Sequence, residues 1–198
     1  MFLIRKALQT LFYIQSKAPT NNQLRFNTFY LQGIMYFADR YHIRHFGFVA
    51  SDDKYFATKD APVALETNKI FYSMLPFPID LPLVFPVREV RYDSVKIPPQ
   101  KDDELSESFK QSLDFALATY GKYTQFQLSD ISHDYPEWKK HENAIKSGTK
   151  SIPMDFIDFF DDPTNLEHSS KNGIHEDPFK DDINFLKTLK EDFCSSHQ

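Results

Sequence analysis

The segment from Leu24 to Gly47 constrains the fold more than any other part of the sequence, because it has the pattern of one helix of about 24 residues. Gly47 stands where a helix commonly ends with a residue of positive φ. A helix of this length needs several neighbours to bury its apolar face, so we expect it at the centre of a helical domain. That face is formed by Leu24, Leu31, Ile34, Ala38 and Tyr41.

Further helices are predicted on both sides of the central one. Pro19 and the polar run 20–22 are expected to end the first helix and to cap the next. Thr124 and Gln127 have the spacing of a capping box, which marks the start of a short helix. The amphipathic pattern predicts helices over residues 1–17, 62–70, 105–120, 124–131, 153–160 and 177–193.

A small β element is predicted directly after the central helix. The short apolar pieces 48–50 and 54–57 flank Ser51, Asp52 and Asp53, which have the composition of a turn between two strands. Val84 to Ile97 is the other strand candidate, because apolar and polar residues alternate within it. The fold class is therefore predicted to be mainly α (α+β), a single helical domain with a small β-hairpin or sheet element.

The chain is predicted to divide near residue 162. Residues 1–162 form the main domain, and residues 163–198 form an acidic linker followed by a C-terminal helical extension. From Asp155 to Asp192 there are eleven acidic residues against four lysines, and residues 164–176 are polar. We expect a semi-independent tail with a loose loop at its start.

The overall charge disfavours two classes of partner. The chain has 28 acidic and 23 basic residues and a formal net charge of −5. This net charge disfavours binding to the phosphates of nucleic acid and to anionic lipid. No apolar run approaches the roughly 20 residues that a membrane-spanning helix requires. Cys194 is the single cysteine, which excludes an internal disulfide framework and favours the cytoplasm as the location.

Asp39, His42 and His45 recur every three residues and form the one pattern that suggests a metal site. Residues at this spacing drift around a helix, and His133 or His141 could complete the site only by folding back onto it. We therefore predict no metal and no cofactor, with His42 hydrogen-bonded inside the fold.

Ser132, His133 and Asp134 have the residue types of a catalytic triad, yet sequence neighbours cannot present nucleophile, base and orienting acid to one substrate atom. A helix end with polar caps explains them better. No phosphate-binding glycine loop or hydrolase motif is present, so the chain is predicted not to be an enzyme. His133 and Trp138 are expected to fix the short helices to the core.

The chain contains 20 phenylalanines and 10 tyrosines, more than a core of this size needs. Aromatic and arginine side chains are favoured at the centres of protein interfaces, so some are expected on a binding surface. An equally simple interpretation places Tyr41 and Phe56 in the core. The predicted partner-binding cluster is Arg40, Tyr41, Arg44, Tyr55 and Phe56.

Three blocks in a fixed order resemble a known family: YFADRYHIRHFG at 36–47, APV at 61–63 and LSDISHDYPEWKKHE at 128–142. Together they are similar to the Panacea, or SocA-like, antitoxin domain, over about Leu24 to Phe160. Relatives often have a glycine just before the Pro-Val pair, where this chain has Asp60 and Ala61. The resemblance implies a largely helical fold with a small β element.

The resemblance also implies a function. It points to a bacterial or prophage antitoxin that neutralises a cognate protein toxin, usually encoded by an adjacent gene, through direct protein contact. A second hypothesis is a proteolytic adaptor that delivers a toxin to a protease. A third, from another class, is a metal-dependent hydrolytic enzyme that uses Asp39, His42 and a second histidine.

Overall fold

A computed structural model describes residues 2–18, 27–73, 99, 101, 104–179, 181 and 183–196. The described part of the chain is mainly helical with a small antiparallel sheet, which confirms the predicted fold class. None of the described helices is long and apolar enough to cross a membrane. In chain order, the elements are α1 Phe2–Lys17, α2 Thr28–Phe46, β1 Tyr55–Thr58, β2 Pro62–Ala64, α3 Leu65–Ser73, α4 Glu107–Tyr120, α5 Gln125–Ser132, α6 Pro136–Lys139, α7 Glu142–Lys146, β3 Ser151–Pro153, a 3-10 helix Phe156–Phe160, α8 Glu167–Lys171 and α9 Ile183–Ser196.

Helix α2 occupies the centre of the structure, as predicted. It begins later than the pattern suggested, because Asn27 caps it: the Asn27 side chain accepts a hydrogen bond of 2.7 Å from the Tyr30 backbone N–H. It ends as predicted at Gly47, whose φ is 83° and whose N–H donates to the Ile43 carbonyl. The cap expected from residues 20–22 lies outside the described residues. Buried side chains occur on all sides of α2, as in a helix surrounded by other elements.

Helices α4 and α5 confirm their sequence signals. Ser106 caps α4, and the ring of Phe37 in α2 stacks on Tyr120 in α4 at a centroid distance of 3.9 Å. The capping box of α5 is complete, since the Thr124 hydroxyl accepts from the Gln127 N–H and the Gln127 side chain accepts from the Thr124 N–H. Both helices are therefore fixed at their N-termini and pack against α2.

The sheet has the order β2–β1–β3, and both pairings are antiparallel. Phe56 in the central strand stands opposite Val63 on one side and Pro153 on the other. Residues 48–50 were predicted to be a strand and are not one; the hairpin turn comes one element later, at residues 59–61. The predicted strand from Val84 to Ile97 lies outside the described residues.

Two predicted helix starts were wrong, because the prolines that were expected to begin these helices lie in strands. Pro62 begins β2, and α3 begins only at Leu65, where the Asp53 carboxylate accepts from the N–H groups of Glu66 and Thr67 at 2.8 Å each. Pro153 lies in β3, and the 3-10 helix follows it. A proline suits either a first helical turn or an outer strand, so these residues do not discriminate between the two structures.

The loop predicted over residues 164–176 contains a helix, α8. Its N-terminus is held by Asp134, whose carboxylate accepts from the backbone N–H groups of His168 and Ser169 at 3.1 and 2.7 Å. The capping residue comes from a distant part of the chain, which explains why the local sequence did not indicate this helix.

The C-terminal segment packs on the rest of the chain. Phe179, Leu186 and Phe193 belong to the same hydrophobic core as α2 and α4. The predicted division at residue 162 therefore does not separate two cores in the structure. That the acidic segment 163–198 behaves as a semi-independent unit in unfolding stays a prediction.

Candidate functional site

Arg40 was predicted to bind a partner and is instead buried, with a relative exposure of 0%. Its Nη1 donates to the two carboxylate oxygens of Glu137 at 2.7 and 2.6 Å, and its Nη2 donates to the Asp161 carbonyl at 2.6 Å. The guanidinium carbon lies 4.2 Å from the ring centroid of Tyr135. Glu137 also accepts a hydrogen bond of 2.6 Å from the Tyr36 hydroxyl. Arg40 thus joins α2 to α6 and forms no part of an exposed surface.

Arg44 is buried to the same degree, one helical turn further along α2. Its Nη1 donates to the Phe160 carbonyl at 2.8 Å, its Nη2 to Asp162 at 2.6 Å and its Nε to Asp181 at 3.1 Å. Residues 160–162 and Asp181 therefore cover the arginine face of α2. This burial has a simple physical reason: a buried guanidinium requires acidic and carbonyl partners, and distant parts of the chain supply them.

The other three residues of the predicted cluster are also buried or half-buried. Tyr55 is buried, and its hydroxyl donates to Asp39 at 2.7 Å. Tyr41 is half-buried and stacks on Phe115 at a centroid distance of 4.1 Å. Phe56 is half-buried in β1. The five residues do not form one exposed surface in this structure.

Asp39, a residue of the metal hypothesis, organises the segment that follows α2. Its carboxylate accepts from the N–H groups of Ala50 and Ser51 at 3.1 and 3.0 Å, in addition to the Tyr55 hydroxyl. Burial raises the pKa of Asp39 to about 6, against the opposing effect of these hydrogen bonds. The segment predicted to be a strand is thus held by side-chain contacts to a buried carboxyl group.

The two histidines of that hypothesis contact different groups. His42 bonds to the Phe48 carbonyl through Nδ1 at 2.8 Å and to the Ser108 hydroxyl through Nε2 at 3.1 Å. His45 pairs through Nε2 with Asp181 at 3.1 Å. Within the part of the chain that the structure describes, no group of three or more histidine, cysteine, aspartate or glutamate side chains could hold a metal ion. The hydrogen bonds that we expected for His42 are present.

Ser132, His133 and Asp134 lie at the end of α5, and their side chains contact different groups. The Ser132 hydroxyl donates to the Ser129 carbonyl at 2.6 Å, and Asp134 caps α8. His133 stacks on Trp138 with ring centroids 3.7 Å apart, and the Trp138 Nε1 donates to the Thr58 carbonyl at 2.9 Å. His133 and Trp138 therefore connect α5 and α6 to the hairpin.

This stacked pair leads to a prediction about pH. Burial lowers the pKa of His133 to about 4, so between pH 6.5 and 4 the unfolded chain binds a proton at this residue that the folded chain does not. Stability is therefore lost as the pH falls through this window. Relative to wild type, a His133→Phe variant should gain about 3 kcal/mol in free energy of unfolding between pH 7 and pH 4, since one pKa unit corresponds to about 1.4 kcal/mol.

The comparison can be made by urea unfolding followed by circular dichroism at several pH values. The raised pKa of Asp39 makes its contribution to the free energy of unfolding change in the opposite direction over a similar pH range. Asp39 is present in both proteins, so this contribution cancels in the difference. A pH-independent difference between the two proteins would contradict the prediction.

An open groove of about 250 Å³ lies on another side of α2, where α5 and the β1–β2 turn approach it. We call it the Phe126 groove and define it by Gly33, Tyr36, Asp60, Phe126, Leu128 and Ser129. Phe126 has a relative exposure of 74%, whereas Leu128, which lines the same groove, is buried.

The sequence contains a signal for this exposure. The apolar residues of the predicted short helix are Phe126, Leu128 and Ile131. Phe126 and Ile131 are five positions apart, which corresponds to about 140° around a helix. The two cannot share one face, and Ile131 is the buried one.

Comparison with known families identifies the region that contains the groove. A family model described as "Antitoxin SocA-like, Panacea domain" matches residues 31–139, more than half of the chain. The chain belongs to this family. No curated protein and no solved structure matches it.

The Panacea domain match begins within α2 and ends with α6, so it includes the Arg40–Glu137 pair and the six residues that define the Phe126 groove. The resemblance inferred from the three sequence blocks is thereby confirmed over a shorter range than expected. Membership of an antitoxin-like family supports an antitoxin-like, non-catalytic role with a toxin as the general class of partner.

Proposed function

We propose that this protein is the antitoxin of a bacterial or prophage toxin–antitoxin pair and neutralises its toxin by direct protein contact in the cytoplasm. The observation that carries the proposal is the Panacea domain match over residues 31–139. The residue types that suggested catalysis have structural partners within the chain: Asp39 binds backbone N–H groups, and His133 stacks on Trp138. A binding function without a cofactor fits these contacts.

Co-expression tests the proposal. The product of each reading frame adjacent to this gene should be expressed from an inducible promoter, with and without this protein. We expect one product to stop growth when expressed alone and to permit growth when this protein is present. If no neighbouring product is toxic, or if its toxicity is unchanged by this protein, the antitoxin function is wrong.

A neutralised toxin should also remain in the cell. Under sequestration, the amount of epitope-tagged toxin stays constant while its effect disappears, and toxin and antitoxin elute together in size-exclusion chromatography. A fall in the half-life of the toxin on antitoxin expression would instead support a proteolytic adaptor. Deleting residues 164–198 does not separate these outcomes, because the deletion removes Phe179 from the core. Reversing the charge of the exposed α9 residues Glu191 and Asp192 tests the role of the acidic segment without removing a core residue.

A further inference from the structure

We propose that the Phe126 groove is the surface that binds the toxin, and that it receives an apolar side chain flanked by a lysine or arginine. This inference rests on the proposed antitoxin function and specifies where the contact is made. It is an alternative to the cluster predicted from the sequence, whose two arginines are buried and hydrogen-bonded to Asp161 and Asp181.

The first reason is that Phe126 is exposed on a rigid support. Its side chain is 74% exposed, the highest value among the large exposed apolar residues that the structure describes. Helix α5, which carries it, is fixed by the capping box of Thr124 and by the burial of Leu128 and Ile131. The backbone of Phe126 is therefore ordered before binding, so no ordering of this helix opposes the contact.

The second reason is the shape of the groove. Gly33 lines it, and a Cβ atom at this position would stand only 3.2 Å from the Leu128 Cδ1 atom. Around this close approach of α5 to α2, Phe126 and Ser129 of α5 and Asp60 of the hairpin turn line the same groove. The volume of about 250 Å³ accommodates one or two large side chains from a partner.

The third reason is charge. Asp60 is the charged residue among the described residues that line the groove; it is exposed and forms no hydrogen bond or ion pair with another described residue. A carboxylate at the edge of an apolar groove favours a partner that places a cation beside its apolar side chain. The net charge of −5 acts in the same direction by attracting a basic surface.

The toxin identified by the co-expression experiment serves as the probe. Three variants change the groove: Phe126→Ala removes the exposed ring, Asp60→Lys reverses the charge, and Ser129→Phe fills the space. We expect each to weaken toxin binding about tenfold or more in isothermal titration calorimetry and to reduce growth rescue. Phe126 and Asp60 are exposed, so their substitution should leave thermal unfolding unchanged.

Matched controls are available on α9, away from the groove. Phe185→Ala removes another exposed phenylalanine and Glu191→Lys reverses another exposed acid, and both should bind the toxin like wild type. Toxin variants in which individual surface lysines and arginines are changed to glutamate should include one that restores binding to Asp60→Lys. That restoration would identify the cation that faces Asp60.

The outcomes separate the two proposals. If wild type neither binds nor neutralises any neighbouring product, the antitoxin function fails and this inference fails with it. If wild type binds its toxin and all three groove variants bind equally well, the antitoxin function stands and the groove is not the interface. If Phe126→Ala changes self-association in sedimentation velocity while toxin binding is unaffected, a second copy of this chain occupies the groove and the inference is overturned.

Discussion

Glu137→Ala is expected to lower the free energy of unfolding by about 3–5 kcal/mol, because it leaves a buried guanidinium without its counter-charge. Arg40 and Glu137 have a side-chain exposure of 0%, and the carboxylate also accepts the Tyr36 hydroxyl. Removing the carboxylate therefore leaves a cation and a phenol with unsatisfied donors in a region that water does not reach. The loss should appear as a lower urea midpoint with little change in the slope of the transition.

A double variant tests whether the unpaired charge causes the loss. Replacing the pair by apolar residues, Arg40→Met with Glu137→Leu, should recover part of the stability that Glu137→Ala loses, because no buried charge remains. Glu167→Ala is the matched control: it breaks an exposed pair with Lys171 and should change stability little. If Glu137→Ala behaves like this control, the pair is not buried in solution.

The second large effect is expected for Phe179→Ala, which should cost about 3–5 kcal/mol in free energy of unfolding. The Phe179 ring is fully buried and lies near the rings of Phe37, Tyr120 and Tyr135, with centroid distances of 6.4, 6.0 and 5.5 Å. Truncation to alanine leaves a cavity between α2 and α4, and it also removes a ring 5.3 Å from the Arg40 guanidinium.

Phe185→Ala provides the comparison within the same acidic segment. Phe185 is 47% exposed, so its truncation should cost much less than that of Phe179. Urea unfolding of both variants, followed by circular dichroism, gives the two values under identical conditions. Equal and small losses would support the semi-independent tail that the composition suggested; a large loss confined to Phe179→Ala would show that this segment completes the core.

Features that depend on neighbours in sequence were predictable. The end of α2 at Gly47 and the capping box of Thr124 and Gln127 are local, and the structure has both. The strand predicted at 54–57 corresponds to β1, but its partners were misplaced: residues 48–50 are not a strand, and β3 pairs with β1 from almost a hundred positions away. A proline such as Pro62 then gives no local indication of which structure it begins.

The candidate site was harder to predict for the same physical reason. Arginine is a residue type that protein interfaces favour, and Arg40 is a core residue only because of Glu137 in α6 and the Asp161 carbonyl. The Phe126 groove is likewise assembled from α2, the hairpin turn and α5, which meet only in the folded chain. The family resemblance indicated the class of partner but not the surface.

The positions of Pro62 and Pro153 have a consequence for how concentrated this protein can become. Each stands in an outer strand of the sheet, at a position whose backbone points away from β1: the neighbours Ala61 and Met154 are the residues that bond back to β1. On the β2 side, the next backbone N–H that points away from β1 is that of Ala64, and it donates a hydrogen bond of 3.1 Å to the Gln32 side chain. Neither border of the sheet offers the regular row of donors that would recruit a strand from another molecule, so aggregation by strand addition is disfavoured even when the protein accumulates.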